Sequence, residues 1–172
     1  MPQEPTIILI IRFSSLGDII QLSALAHHLR ELYPGAQIHW LTKAVYEPIV
    51  AAIPAVDKVI AYEPAGGLNG LISLAHNLRR TYHYDLVLDM HNVMRSLVAR
   101  LFVGGKKRLT YHKPYFKRFL LFHFHKDTFP KDFHVIDDYC RVLGEISLTV
   151  REGLICAHRP QLWRPQKSGA GL

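Results

Sequence analysis

Short, wholly apolar segments alternate along the chain with longer segments whose apolar residues recur every three or four positions. Residues 6–12 form a largely β-branched apolar run, which is typical of a strand buried on both faces of a parallel sheet. Similar runs predict four further strands, at residues 37–41, 58–62, 85–89 and 106–110. The helical spacing predicts helices at residues 22–32, 46–53, 68–81, 93–102 and 134–143.

This alternation of strands and helices predicts the fold class. An α/β fold with a parallel sheet and helices on both of its faces accommodates such a chain. We expect one domain over residues 1–148. Residues 149–172 contain prolines, glycines and charges without any periodicity, and we expect them to form an irregular, poorly ordered tail.

The composition indicates a globular protein, and the cytoplasm is its simplest location. Of the 172 residues, 49% are hydrophobic and 20% are charged, which argues against wholesale disorder. No apolar run approaches the about 20 residues of a membrane-spanning helix, and residues 1–5 lack the basic character of a signal peptide. With only Cys140 and Cys156, a disulfide scaffold is excluded. The pair His123 and His125 is a weak metal signal, and we expect no metal site.

Positive charge is concentrated in one stretch of the chain. Lys and Arg number 21 against 14 Asp and Glu, which gives a net charge of +7, and residues 90–126 contain no acidic residue. Aromatic residues are interleaved there with basic ones, which are Arg95, Arg100, Lys106, Lys107, Arg108, Lys113, Lys117, Arg118 and Lys126. This pattern suits phosphorylated sugars or an anionic membrane face, single-stranded nucleic acid, or a solvated exterior. Nucleic acid is the less favoured partner because no nucleic-acid-binding module is recognisable.

The turn after the first strand carries the most informative chemistry. Ser14 and Ser15 offer hydroxyl groups, Gly17 permits close approach to the backbone, and Asp18 places a carboxylate where a helix begins. The segment contains neither a dinucleotide-binding fingerprint nor a P-loop, which argues against hydride transfer and nucleotide hydrolysis. Asp18 is either a helix-capping residue or a general base that accepts a proton from a hydroxyl. The serines and the glycine equally suit simple turn geometry.

Residues 8–20, with the sequence Ile-Leu-Ile-Ile-Arg-Phe-Ser-Ser-Leu-Gly-Asp-Ile-Ile, resemble the N-terminal signature of the family 9 glycosyltransferases. These enzymes are the ADP-heptose:lipopolysaccharide heptosyltransferases. Residues 32–41, 84–96 and 134–139 resemble later segments of the same family, in the same order. The resemblance extends over about residues 7–148, which corresponds to the N-terminal half of the family.

The resemblance implies a Rossmann-like, acceptor-binding N-terminal domain of a two-domain (GT-B) glycosyltransferase. Heptose would pass from ADP-heptose to an anionic inner-core sugar of lipopolysaccharide, with inversion and without a metal or other cofactor, at the inner membrane face. Asp18 matches the family's general base, and His91 is either an acceptor contact or only a turn residue. The remaining candidate substrate-binding residues are Ser14, Ser15, Gly17, Asn92, Arg95, Lys106, Lys107, Arg108 and Lys113.

Members of this family are much longer than the present chain and carry a C-terminal donor domain that has no counterpart here. We therefore expect a truncated enzyme that is inactive alone, with the missing domain as a possible partner. The alternative is a non-catalytic basic α/β domain that binds anionic glycolipid or nucleic acid.

Overall fold

A computed structural model describes residues 5–111 and Val142. Within them, five strands form one sheet in the order β3-β2-β1-β4-β5, and every neighbouring pair is parallel. The strands are β1 (Ile7–Ile11), β2 (Gln37–Lys43), β3 (Lys58–Tyr62), β4 (Leu86–Asp89) and β5 (Lys107–Thr110). The predicted parallel α/β sheet is therefore confirmed, and each strand lies within a residue or two of its predicted position.

Four α-helices connect the strands. They are α1 (Leu16–Leu32), α2 (Glu47–Ala51), α3 (Gly67–Thr81) and α4 (Met94–Val103), with short 3-10 turns before α2 and α3. Helix α1 begins inside the segment that the sequence indicated as a turn, because Ser15 and Asp18 form a capping box that starts the helix at Leu16.

The core lies on both faces of the sheet. Ile8 and Ile10 point to the face covered by α1 and α2, whereas Leu9 and Ile11 point to the face covered by α3 and α4. All four side chains are fully buried. Burial on both faces explains why the first strand shows no apolar–polar alternation in the sequence. Val142 is helical and packs in the cluster on the α1 face.

The strand order positions the site. The chain places β2 and β3 on one side of β1, and β4 and β5 on the other, so the connection reverses direction between β1 and β4. Ile11 and Asp89 are register partners at the carboxyl ends of these two strands. In open α/β sheets, ligands bind in the crevice outside the carboxyl ends at such a reversal. We call the side of the sheet where the strands end the carboxyl edge, and the other side the amino edge.

Arg30 joins elements at the amino edge. Its guanidinium donates hydrogen bonds to the carbonyl oxygens of Ala36 (2.6 Å) and Ala55 (3.2 Å), and it forms an ion pair of 2.5 Å with Asp57. Asp57 in turn accepts a 2.6 Å hydrogen bond from the backbone amide of Ile38. These contacts fasten the end of α1 to the segments before β2 and β3.

Asp85 joins three strands at the same edge. Its carboxylate accepts hydrogen bonds from the backbone amides of Thr6 (2.8 Å) and Ile7 (3.2 Å) and pairs with the Lys106 ammonium at 2.7 Å. Desolvation by burial acts to raise the pKa of Asp85, but the Lys106 and amide hydrogen bonds outweigh it, so the pKa lies below its usual value. The ionised form therefore stabilises the folded protein.

The amino edge also holds a buried histidine. His39 lies beside Tyr84, with 3.0 Å between its Nδ1 and the Tyr84 hydroxyl oxygen, and its ring also meets Tyr82 edge-on. Desolvation, together with the charge of Lys58, lowers the pKa of His39 against the opposing effect of Asp57. These conditions favour a neutral imidazole in the folded protein.

The predicted helix at residues 134–143, apart from Val142, and the predicted tail at residues 149–172 lie outside the described residues. The boundary at residue 148 therefore stays a prediction. Over the part of the chain that the structure describes, no helix combines the length and apolarity needed to cross a membrane.

Candidate functional site

The first component of the site is the start of α1. Ser15 is the N-cap residue, and both its backbone amide (3.3 Å) and its hydroxyl (3.2 Å) lie within hydrogen-bonding distance of Asp18 Oδ2. The Asp18 side chain is 27% exposed. Asp18 is therefore a capping residue, as one of the two interpretations of the sequence predicted. It also presents part of its side chain to solvent at the carboxyl edge.

Arg12 is the second component, and the sequence reasoning gave it no role. It directly follows β1, its side chain is only 1% exposed, and its guanidinium forms an ion pair with Asp18 Oδ2. The same guanidinium donates a hydrogen bond to the carbonyl oxygen of Met90. The signal in the sequence was a cation placed immediately after a fully apolar strand, because a charge is seldom buried without a partner.

Asp89 organises the turn between β4 and α4, which is the third component. Its side chain is fully buried, and Oδ1 accepts hydrogen bonds from the backbone amides of His91 (3.1 Å) and Asn92 (2.9 Å). Asn92 has a φ of +51°, a left-handed conformation that asparagine tolerates better than most residues. Asp89 Oδ2 is buried and has no hydrogen-bond partner among the described residues. Sequence reasoning gave Asp89, like Arg12, no role in the site.

Aromatic packing joins the two turns. The buried ring of Phe13, which follows Arg12, meets the half-buried imidazole of His91 with 5.9 Å between ring centroids. Phe13 also packs against Tyr62 at the end of β3, at 5.6 Å. The turn after β1, which leads to Asp18, and the turn after β4, which carries His91, therefore contact each other.

Space is open beside Asp18. Gly17 is exposed, and a Cβ atom added to it would meet no other atom within 4 Å. Ser14 is half-buried in the same turn. Nothing in the packing of the described residues requires a glycine at this position, so the absence of a side chain leaves room for a ligand to approach the helix end.

The predicted basic residues separate into two groups. Arg95 is exposed in the first turn of α4, on the same edge as Asp18 and Asn92. Lys107 is the register partner of Leu86 at the beginning of β4, and Lys106 precedes it beside Asp85.

The structure therefore places Lys106, Lys107 and Arg108 at or near the amino edge. Lys107 lies three residues before the strand end at Thr110, a separation of about 10 Å along a strand. Lys113 lies outside the described residues. The structure thus places Ser14, Ser15, Gly17, Asp18, His91, Asn92 and Arg95 at the carboxyl edge and sets the basic residues of β5 apart from them. It does not test whether any of them binds a substrate.

Large apolar side chains surround the carboxyl edge. Nine large apolar side chains are exposed among the described residues. Eight of them either directly follow the end of a strand or lie in the first two turns of the next helix: Leu16, Ile20, Val45, Ile49, Leu68, Val93, Met94 and Leu97. We call these eight residues the apolar rim. Met94 is 76% exposed and Val45 is 72% exposed. Exposed apolar side chains at this edge are available for contact with another molecule or with a membrane.

Two curated proteins resemble the chain in sequence, whereas no protein-family model matches it. The lipopolysaccharide core heptosyltransferase OpsX of Haemophilus influenzae is 25% identical over 107 residues, which is 62% of this chain and 30% of that protein. The lipopolysaccharide heptosyltransferase 1 of Campylobacter coli is 31% identical over 93 residues, or 54% of this chain and 27% of that protein. The matched region thus amounts to less than a third of the length of either relative.

Solved structures share the fold. The glycosyltransferase family 9 protein of Veillonella parvula superposes with a TM-score of 0.65 at 20% identity, covering 84% of this chain and 42% of that one. The E. coli heptosyltransferase WaaC with ADP gives a TM-score of 0.59 at 19% identity, covering 81% and 46%.

The chain therefore has the fold of a glycosyltransferase domain. The sequence relatives make the comparison more specific: they confirm the resemblance to the family 9 lipopolysaccharide heptosyltransferases, over part of the length of those proteins.

Proposed function

We propose that this chain forms the acceptor-binding, Rossmann-like part of a heptosyltransferase that acts in lipopolysaccharide core biosynthesis. The observation that carries the proposal is the position of Asp18. It lies at the carboxyl edge, where the chain connection reverses direction between β1 and β4. Ser15 and Arg12 anchor its carboxylate, and its side chain remains 27% exposed. Its carboxylate therefore stands where the fold binds ligands.

In the proposed reaction, a hydroxyl of the acceptor sugar attacks the anomeric carbon of ADP-heptose. The bond from that carbon to the diphosphate oxygen breaks on the opposite face, ADP leaves, and the configuration inverts. Asp18 accepts the proton of the attacking hydroxyl as the new glycosidic bond forms. We assign no metal ion and no cofactor to this step.

The acceptor contacts in this proposal come from both turns. Ser14, Ser15 and Gly17 line the approach to Asp18, and His91 and Asn92 line the neighbouring turn. Arg95 supplies a positive charge at the same edge, which suits a phosphorylated sugar because a guanidinium binds phosphate in a bidentate manner. Lys106, Lys107 and Arg108 lie toward the other edge, so they would contribute to the wider positive field rather than contact the reacting sugar.

The apolar rim and the positive charge together support peripheral binding at the inner face of a membrane. Apolar side chains that insert at the level of the headgroups and cations that attract anionic lipid strengthen each other. Such binding would keep the protein on the cytoplasmic side, where it meets a lipid-linked acceptor. The apolar rim also suits contact with a donor domain.

Two experiments test the proposal, and the first is binding by the chain alone. Titration with a phosphorylated core oligosaccharide that lacks heptose should give saturable, salt-sensitive binding, whereas single-stranded RNA should not bind at the same concentrations. The 172-residue chain alone should transfer no heptose from ADP-heptose. Binding of RNA without binding of oligosaccharide would contradict the proposal and favour a nucleic-acid-binding domain.

The second experiment tests Asp18. With the donor domain of the Haemophilus influenzae relative joined to the chain, Asp18→Asn should lower kcat by about 10²–10⁴-fold, as expected for loss of a general base. The free energy of unfolding should fall, because Arg12 loses the charge that compensates it, but the acceptor affinity of the folded variant should stay within about threefold, since the amide keeps the shape of the carboxyl group. Asp57→Asn is the matched control, because Asp57 also pairs with an arginine, Arg30, but at the amino edge. Equal kcat values for both variants would reduce Asp18 to a helix cap.

A further inference from the structure

Arg12 connects the two turns of the site through a single side chain. Its guanidinium contacts the carboxylate of Asp18 on α1 and the carbonyl oxygen of Met90 in the turn after β4. We propose that Arg12 is a positioning residue that holds Asp18 in a fixed geometry relative to the turn carrying His91 and Asn92. The role of Asp18 as a base rests on the proposed function, whereas the coupling itself does not.

The first support is burial. The Arg12 side chain is 1% exposed, and its Nε has no hydrogen-bond partner among the described residues. A buried guanidinium is strongly unfavourable unless an opposite charge compensates it. Asp18 supplies that charge, so the position of the carboxylate and the burial of the cation depend on each other.

The second support is the anchoring of Arg12 itself. Its backbone amide donates a 3.0 Å hydrogen bond to the carbonyl oxygen of Leu41 at β2, which fixes the residue between the ends of β1 and β2. In the other direction, the backbone amide of Met90 donates a 3.1 Å hydrogen bond to the carbonyl oxygen of Ile11. The guanidinium therefore projects from one fixed strand end toward another, and Asp18 is held against this frame.

The third support is the chemistry of arginine. A guanidinium is planar and carries five donors in a fixed arrangement, so it can contact a carboxylate and a carbonyl oxygen together. A lysine ammonium is a point charge on a flexible stem and lacks that fixed fork. The arrangement thus depends on the shape of the side chain as well as on its charge.

Arg30 provides a comparison within the same protein. It also pairs with an aspartate, Asp57, and donates to backbone carbonyl oxygens, but it does so at the amino edge. Its side chain is 30% exposed, far more than that of Arg12. An arginine that only fastens the fold should behave like Arg30, and a positioning residue should affect the carboxylate of the site in addition.

The experiment uses the full 172-residue chain with ¹³C-labelled aspartate and ¹⁵N-labelled backbone, without any acceptor or donor. In Arg12→Met, the pH midpoint of the Asp18 carboxyl resonance should rise by about one unit or more, a tenfold change in proton affinity. The amide resonances of His91 and Asn92 should shift as well. Arg30→Met, the matched control, should leave the Asp18 midpoint and both amide resonances where they are.

Arg12→Lys keeps the test decisive if Arg12→Met does not fold. In Arg12→Lys the Asp18 midpoint should rise less, because a positive charge remains, but the His91 and Asn92 amides should still shift, since a flexible ammonium does not reproduce the fixed geometry by which the guanidinium contacts Asp18 and Met90 together. An Asp18 midpoint within about 0.2 units of the parent in a folded Arg12→Met, or unmoved His91 and Asn92 amides in Arg12→Lys, would overturn the proposal. Absence of heptose transfer in the joined enzyme would count against the proposed function alone, because these resonances do not depend on it.

Discussion

Replacing Gly17 with alanine should separate stability from binding. Gly17 is the second residue of α1, is exposed, and has no atom within 4 Å of the position of an added Cβ. Alanine is favoured over glycine in a helix by up to about 1 kcal/mol, and nothing in the described structure opposes the new methyl group. We therefore expect the free energy of unfolding to rise by about 0.5–1 kcal/mol in Gly17→Ala. For a chain of this size, that corresponds to an increase in Tm of about 1–4 °C.

The affinity of Gly17→Ala for the acceptor should fall, whereas its stability rises. The added methyl group projects into the open space beside Asp18, where we place the acceptor sugar. Displacement of the acceptor, or loss of one contact to it, should weaken binding about tenfold, which corresponds to about 1.4 kcal/mol. Stability is measured by urea denaturation, and affinity by calorimetric titration with the phosphorylated core oligosaccharide.

Gly70→Ala is the matched control. Gly70 lies within α3, and a Cβ added there also meets no atom within 4 Å. This variant should gain a similar amount of stability and bind the acceptor as the parent does. If Gly17→Ala binds the oligosaccharide with unchanged affinity, the space beside Asp18 is not the acceptor site; if it is less stable than the parent, the packing argument is wrong.

Two further predictions concern the fold. Gly105 has a φ of +134°, and an added Cβ would lie 2.7 Å from Cγ2 of the buried Val87, so Gly105→Ala should lose about 2–4 kcal/mol in urea denaturation. Gly104→Ala, whose φ of +75° and ψ of −157° also favour glycine but whose added Cβ would meet only the side chain of Arg79, at 3.8 Å, should lose about 1–3 kcal/mol less than Gly105→Ala because it lacks the clash with Val87; equal losses would contradict the steric explanation. Because the pKa of Asp85 is lowered from 3.8 in the folded protein, its stabilising effect should be complete well above that pH and disappear as the pH falls through the lower value. The unfolding free energy of Asp85→Asn should accordingly fall less than that of the parent over this acidic range, and parallel losses would refute the role of the carboxylate.

Much of the fold could be predicted from local patterns. The first strand is buried on both faces, so its uninterrupted apolar run carried the signal directly, and the helical spacing identified α3 and α4 in the same way. The start of α1 at Leu16 was the exception. There the capping interaction of Ser15 with Asp18 extends the helix beyond the apolar stripe, and a periodicity argument does not register a cap.

The site was only partly predictable, for two physical reasons. Arg12 is buried because Met90, which lies 78 positions away, provides a carbonyl oxygen for it, and no local pattern reports such a contact. Asp89 was missed because a carboxylate at a strand end looks the same in sequence whether it faces water or builds a turn. The basic residues of β5 were grouped with the site on charge alone, although the predicted strand at residues 106–110 already placed Lys106 and Lys107 at its beginning, away from the carboxyl edge.

The separation between Arg12 and Met90 also has a consequence for protein synthesis. Chains are made at about 5–20 residues per second, so the 78 positions between these residues take about 4–16 s to appear. During that interval β1 can pair with β2, but its other edge stays open and the Arg12 guanidinium lacks the carbonyl group that it meets in the finished protein. An apolar strand with an open edge is prone to associate with other chains. An interval of this length gives the apolar edge of β1 time to associate with other chains, or with a chaperone, before β4 arrives.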